Sequence, residues 1–162
     1  DRKIESIGRQ QWVAGRRWSR HHGHIAGLTA MVSAGGRIFY VMDEGSRLSP
    51  VLPERWKLVC RDAFNGIILW KRALPSWHTH WWPVKSGPTQ AVRRLVALDD
   101  RLYLPLGVGM PLSELDAVTG ETTRTFDGTE GIDGRAISVQ DDQFFSTEHK
   151  VTAAFFAPRN YK

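Results

Sequence analysis

A single cysteine, Cys60, leaves no partner for a disulfide within the chain. Its setting, WKLVCRD, alternates in the manner of a strand, so the thiol reads as an inert packing group. No apolar run approaches the roughly 20 residues that cross a bilayer as a helix. No stretch has the order of basic, apolar and small residues that marks a signal peptide. Neither a Ser-His-Asp set nor a Cys-His pair emerges by spacing. Gly107-Val108-Gly109 is too short for a phosphate loop and fits a turn, and Glu148-His149 has no evident partner. Asp43 and Glu44 beside Gly45 read either as a carboxylate pair or as a strand end running into a loop. The chain begins at Asp1 without methionine, which gives the expectation of a trimmed, processed or partial sequence.

What is present is ordinary in bulk and unusual in detail. A chain of 162 residues is long enough for one domain with a real core. Its 41% hydrophobic and 24% charged residues are those of a globular protein. Seven tryptophans are many for this length, and tryptophan serves where one flat group must fill a wide gap or stack on a ligand. The net charge of +5 is concentrated at the start: Arg2, Lys3, Arg9, Arg16, Arg17 and Arg20 face only Asp1 and Glu5 within residues 1–24. Such a segment meets an anionic surface, packs on an acidic neighbour, or is simply solvated. No nucleic-acid-binding motif accompanies it, so nucleic acid is not an expected partner.

Internal repetition organises the rest. AMVSA-GG-RIFYVM, RLVAL-DD-RLYLPL and AISVQ-DD-QFFS each join two apolar strands by a two-residue turn. Gly-Gly accepts positive φ at both turn positions, and aspartate tolerates it better than most residues. A second pattern follows the first two hairpins: DAFNG at 62–66 and DAVTG at 116–120. In each, the aspartate can accept hydrogen bonds from backbone N–H groups of the turn, and the glycine takes the left-handed position. Asp100 to Asp142 spans 42 residues, and four short strands need about 40–50, the size of one propeller blade. Gly36 to Asp100 spans 64, so the first unit carries 22 more. Ten of these fall between its second and third strands, and twelve between its fourth strand and the next hairpin. The second insertion contains WHTHWWP, residues 77–83.

The order Asp-Ala-x-x-Gly-x-x-x-Trp after a Gly-Gly hairpin resembles the repeat of quinoprotein-type β-propellers, the pyrroloquinoline-quinone (PQQ)-like family. The resemblance covers roughly residues 26–145. It extends through WSRHHGH, DAFNG, WHTHWWP and KSGP to large PQQ-like bacterial propeller proteins with no established activity. It implies a tryptophan-docking motif of Asp62, Gly66 and Trp70, continued by Asp116 and Gly120, with Arg124 where a second tryptophan would stand. The family includes quinone alcohol dehydrogenases and non-enzymatic outer-membrane-assembly lipoproteins, which implies a periplasmic or secreted bacterial setting. PQQ itself is not expected on this segment: no stacking floor, metal-ligand set or catalytic carboxylate is assignable, and one cysteine cannot form the adjacent-cysteine ring of some family members.

The expected fold is all-β, about two and a half four-stranded antiparallel blades. A basic leading segment and crossover spans 1–25, a blade with insertion 44–55 spans 26–74, and a His/Trp-rich crossover spans 75–93. A second blade spans 94–127, and a partial third blade and tail span 128–162. Closed propellers have four to eight blades, so the expected partners are further blades of a parent chain or copies of this one. Turns alternate between the two faces of a blade. The hairpin turns and DAxxG turns therefore share one face, and the insertions at 44–55 and 75–88, with residues 15–24, share the other. Extra sequence on one face of a repeat scaffold marks a working surface.

Two His-x-His pairs lie on that face, His22 with His24 and His78 with His80. In extended backbone each pair directs two imidazoles to one side, which suits copper or zinc. Histidines beside tryptophan and arginine serve equally as hydrogen-bonding loop anchors, or in ligand contact and acid–base work. Trp77, Trp81 and Trp82 form either a stacking platform for a saccharide or other small molecule, or a cover over the blade ends. On the first reading Arg20, His21 and Lys85 hold its polar or anionic groups. Three functions follow: a scaffold with a binding face, a metal- or quinone-dependent oxidoreductase using the four histidines, or purely architectural blades.

Overall fold

The computed structural model describes residues 11–14, 28–46, 48, 52–77, 94–130, 136–140, 143–147 and 152–156. They are built from eleven strands. Strands β1 (Leu28–Ala34), β2 (Arg37–Asp43), β3 (Trp56–Asp62) and β4 (Ile68–Ala73) form one sheet in chain order. Strands β5 (Val96–Leu98), β6 (Arg101–Pro105), β7 (Leu112–Asp116) and β8 (Thr122–Phe126) form a second. Strands β9 (Ala136–Gln140), β10 (Gln143–Thr147) and β11 (Thr152–Phe156) form a third, three-stranded sheet. All neighbours are antiparallel. The fold is thus all-β, and the described residues make two four-stranded blades and three strands of another. The first strands of successive blades lie together, β1 against β5 and β5 against β9, as in sheets arranged around a common centre.

Local chemistry sets the blade shape. Gly35 and Gly36 take φ of 53° and 72° in the β1–β2 hairpin, the handedness that a two-residue hairpin needs. Asp99 does the same work in the β5–β6 hairpin with φ 51°, the one non-glycine at positive φ among the described residues. The middle strands are buried on consecutive residues: Phe39, Tyr40 and Val41; Leu58, Val59 and Cys60; Leu102, Tyr103 and Leu104. Since side chains alternate between the faces of a sheet, consecutive burial means that both faces are covered. The outermost strands β4 and β8 are largely exposed.

The seam between the first two blades is the main core. Phe39, Val41, Leu58 and Cys60 from the first meet Leu102, Leu104, Leu115 and Ala117 from the second, with Trp56, Leu74, Trp77 and Leu95 closing one end. Such interdigitation stabilises through burial of apolar area, on the order of 2 kcal/mol for each large side chain. One further strand lies outside the hairpin signals: β11 falls in the tail HKVTAAFFAPRNYK, where no turn residues announce it.

Candidate functional site

The two faces of the blades are built by different means. On the turn face, Asp62 Oδ1 accepts the N–H groups of Phe64 and Asn65 at 2.8 and 2.9 Å. The N–H of Gly66 donates to the Asp62 carbonyl at 3.0 Å, with φ 74° at the glycine. The second blade repeats this: Asp116 Oδ1 accepts from Val118 and Thr119 at 2.7 and 2.8 Å, and Gly120 has φ 77°. These two N–H groups, Thr119 first, hold the Asp116 carboxyl below its usual range, because they favour the charged form. Each DAxxG turn is tied to the hairpin turn of its own blade, Ala63 N–H to the Gly36 carbonyl and Ala117 N–H to the Asp100 carbonyl, both at 2.9 Å.

Trp70 crosses from β4 to the next blade. Its indole N–H donates to the Ala117 carbonyl at 3.1 Å, and a methyl group on Gly120 would come within 2.8 Å of its ring. Arg72 follows it across and donates to the Gly120 carbonyl at 2.9 Å. A β-bulge just before position 70 turns the side chain outward: Cys60 pairs with Trp70, and Arg61 already pairs with Ile68. The same bulge recurs in the second blade, where Glu114 pairs with Arg124 and Leu115 with Thr122. Among the described residues, Arg124 has no partner on the next blade. Its guanidinium lies 3.7 Å from Glu114 and 5.3 Å from the centre of the Phe126 ring, both on its own sheet.

The sequence reading passed over a second docked tryptophan. Trp12 donates to the Ala63 carbonyl at 3.0 Å and lies against Gly66 so closely that a methyl group there would approach its ring to 2.6 Å. The signal was present: Gly8-x-x-x-Trp12 has the spacing of Gly66-x-x-x-Trp70. Position 14 is alanine where position 72 is arginine, and the Gly66 carbonyl takes its guanidinium from Arg61 of its own blade instead.

The opposite, crossover face carries the stems of both insertions. Asp43, buried at the end of β2, accepts the N–H groups of Gly45 and Arg55 on one oxygen at 2.7 and 2.8 Å. Glu44 N–H donates to the Arg55 carbonyl at 2.9 Å, so the loop 44–55 leaves and rejoins the sheet at one place. The Glu44 carboxylate pairs with Lys71 at 2.6 Å. These two acids are thus a loop clamp and a surface ion pair. At the start of the crossover, Ser76 Oγ accepts the Val108 N–H at 2.9 Å, and a methyl group on Gly107 would come within 2.9 Å of the Met110 sulfur and 3.2 and 3.3 Å of Ser76 and Pro75. The β6–β7 turn therefore meets the crossover of the preceding blade, and Gly107-Val108-Gly109 is a turn.

Trp77, expected among the ligand-binding aromatics, is 1% exposed and belongs to the seam core. Arg94, 6% exposed, donates from Nη1 to the Trp77 carbonyl at 2.6 Å and lies 5.8 Å from the centre of its ring. The Trp77 indole N–H is buried and has no hydrogen-bond partner among the described residues. Arg20, His21, His22, His24, His78, His80, Trp81, Trp82 and Lys85 lie outside the described residues, as does the Asp141-Asp142 turn. Among the described residues no group of three or more His, Cys, Asp or Glu is placed to hold a metal, and no helix is long and apolar enough to cross a membrane.

No protein-family model matches the chain, and no curated protein matches it. Among solved structures, BamB from Moraxella catarrhalis is similar with a TM-score of 0.46 and 18% identity, covering 77% of this chain. The chain spans 35% of that protein's length. The computationally designed Ika4 protein is similar with a TM-score of 0.42 and 12% identity, covering 88% of this chain and 99% of the design. The blade architecture stands on strand order, register and the seam described above.

Proposed function

We propose that this chain is a β-propeller scaffold whose crossover face, formed by residues 15–24, 44–55 and 75–88, binds a ligand or a partner. The observation that supports it most is the stem geometry. The described ends of both insertions sit opposite the docking turns, one fixed by hydrogen bonds that Asp43 accepts and the other by one that Arg94 donates. Long insertions on stiff stems are the arrangement in which a scaffold carries recognition, because the sheets stay fixed while the loops vary. The blades themselves are architecture. Further blades, from a longer chain or from copies of this one, are the partners that their open sheets call for. Within the proposed face, Arg20, His21, Trp81, Trp82 and Lys85 supply ring faces and charge for a saccharide or anionic small molecule. His22, His24, His78 and His80 supply imidazoles for copper or zinc.

The test is calorimetric titration of the purified chain with Zn2+, Cu2+ and a panel of soluble oligosaccharides. Each probe is applied to the native chain, to a His78→Ala/His80→Ala variant, to a Trp81→Ala/Trp82→Ala variant and to the turn-face variant Phe64→Ala. Binding of one probe that is lost in a crossover variant and kept in Phe64→Ala is the expected result. Binding that none of the crossover variants disturbs would overturn the assignment of the face. Loss of Zn2+ or Cu2+ binding in the histidine variant alone separates the metal reading from the saccharide one.

A further inference from the structure

We infer that this chain closes with a second copy of itself into a six-bladed ring, in which the segment carrying Trp12 becomes the fourth strand of the partner's third blade. This rests on the reading of the blades as architecture and deepens it, by naming the partner and the joint. Trp12 and Trp70 hold equivalent places. Trp70 donates to the Ala117 carbonyl at 3.1 Å and lies over Gly120, while Trp12 donates to the Ala63 carbonyl at 3.0 Å and lies over Gly66. Trp70 stands on β4, the outer strand of its blade, opposite Cys60 of β3. Residues 11–14 therefore stand where the outer strand of a preceding blade belongs.

The third sheet presents the matching edge. In the first two blades the third strand pairs with a fourth, β3 with β4 and β7 with β8. Strand β11 has β10 on one side and, among the described residues, no strand on the other. Register fixes how the two parts meet. Phe39, Cys60 and Trp70 lie in one row across the first sheet, and Tyr103, Glu114 and Arg124 in the same row of the second. In the third sheet that row begins with Phe145 and Ala154, so Trp12 completes it and Ala14 falls opposite Thr152. Within one chain this pairing would bring the third blade round to the first and close a ring of three, whereas closed propellers have four to eight blades. Two copies give six, and each copy donates one strand and accepts one, so these edges are satisfied on both sides. The face of the first blade that would meet the partner is only partly covered. Tyr40 and Val59 on its middle strands are buried, but Met31 on β1 is 60% exposed. Leu95, which holds the place of Met31 in the second blade, is 2% exposed in the seam core.

Sedimentation velocity on the full chain and a pair of introduced cysteines test this. The native chain should sediment as two copies at micromolar concentration. Trp12→Ala should raise the dissociation constant about tenfold or more, as the loss of a central tryptophan does at an interface. In Ala14→Cys/Thr152→Cys the new thiols stand opposite each other on neighbouring strands of two copies, within disulfide reach, and mild oxidation should yield a covalent two-copy species. Ala14→Cys/Ala153→Cys is shifted by one residue, to the other side of the sheet, and should yield little of it. Should Trp12→Ala fail to fold, the two cysteine pairs decide the matter alone. A native chain that stays monomeric at micromolar concentration would overturn the inference. Thiols that pair within one chain, or equal yields from the two cysteine pairs, would overturn it equally. None of these results involves the crossover loops. A two-copy ring that binds no metal or saccharide sinks the binding reading and leaves the closure standing, and a monomer that binds one of them does the reverse.

Discussion

Two pairs of residues occupy the same place in successive blades and behave in opposite ways. Cys60 and Trp70 face each other across β3 and β4, and Glu114 and Arg124 face each other across β7 and β8. Both outer residues follow the turn glycine by four positions, and both come after the same bulge. Trp70 reaches over its neighbour's docking turn, pairs its N–H with Ala117 and covers Gly120. Arg124 folds back on its own buried carboxylate. The backbone thus offers one rim position per blade, and the side chain decides whether it becomes a joint between blades or an internal ion pair. A large apolar ring gains by leaving its own sheet for the next. A cation gains more from the carboxylate beneath it.

Replacing Trp70 breaks the joint most severely. Trp70→Ala removes a ring that packs on Phe39, at 6.0 Å between centroids, and on Gly120. It also leaves the Ala117 carbonyl without its indole donor. A loss of about 3 kcal/mol is expected, at the lower end for tryptophan truncations because the ring is half-buried. Chemical denaturation measures it, and the midpoint should fall without a change of slope.

Altering the receiving surface tests the same contact from the other side. Gly120→Ala places a methyl group within 2.8 Å of the Trp70 ring at a φ of 77°. Strain and overlap together should cost about 2–3 kcal/mol. Gly128→Ala has nearly the same φ, 82°, with nothing within 4 Å, so it should cost about 1 kcal/mol. The difference isolates the contact from the backbone. Equal costs for the two substitutions would mean that the docked ring yields freely.

The inner member of the first pair, Cys60, makes stability depend on pH. Burial raises the Cys60 pKa from 9.0 to about 11, against a smaller opposing pull from the positive Arg37. The folded thiol is harder to ionise than the unfolded one. The stabilisation is therefore complete below about pH 9 and is lost as the pH rises toward 11. The loss should approach about 2 kcal/mol. Cys60→Ala should remove this slope whatever its own cost at neutral pH, and unfolding curves of both proteins from pH 8 to 11 would show it. An identical slope in the variant would assign the alkaline loss to other groups.

The repeat was legible because its punctuation is local. Gly35-Gly36, Asp62 with Gly66 and Asp116 with Gly120 each dictate a turn through φ or through a side chain bonded to its own backbone, so three residues suffice to read them. The alternate placing of the turns then follows from strand direction. Trp12 was missed for a different reason: its glycine closes IESIG at 4–8, without the Asp-Ala pair that marks the turn before Trp70. The hydrogen bonds of Asp43 with Arg55 and of Arg94 with Trp77 also join residues that approach only in the fold. Strand β11 has partners but no turn signal. Of the residues expected from the sequence to bind a ligand, Trp77 alone falls within the described part, and it lies at the end of the seam core with Trp56, Leu74 and Leu95.

The smallest effect is the most discriminating. Arg124→Ala removes an interaction that is half solvent-exposed, so its Coulombic worth is screened, and the Glu114 carboxylate keeps Arg101 at 4.0 Å and the Thr123 hydroxyl at 3.1 Å. The cost should be about 0.5 kcal/mol and should shrink further as salt is raised toward 1 M. Trp70→Ala, being an apolar loss, should not shrink with salt. If Arg124→Ala instead matched Trp70→Ala in size and was insensitive to salt, the arginine would be a joint after all, reaching the third blade through its stem and not through its charge. The backbone position would then outweigh the side chain in deciding how blades are held together.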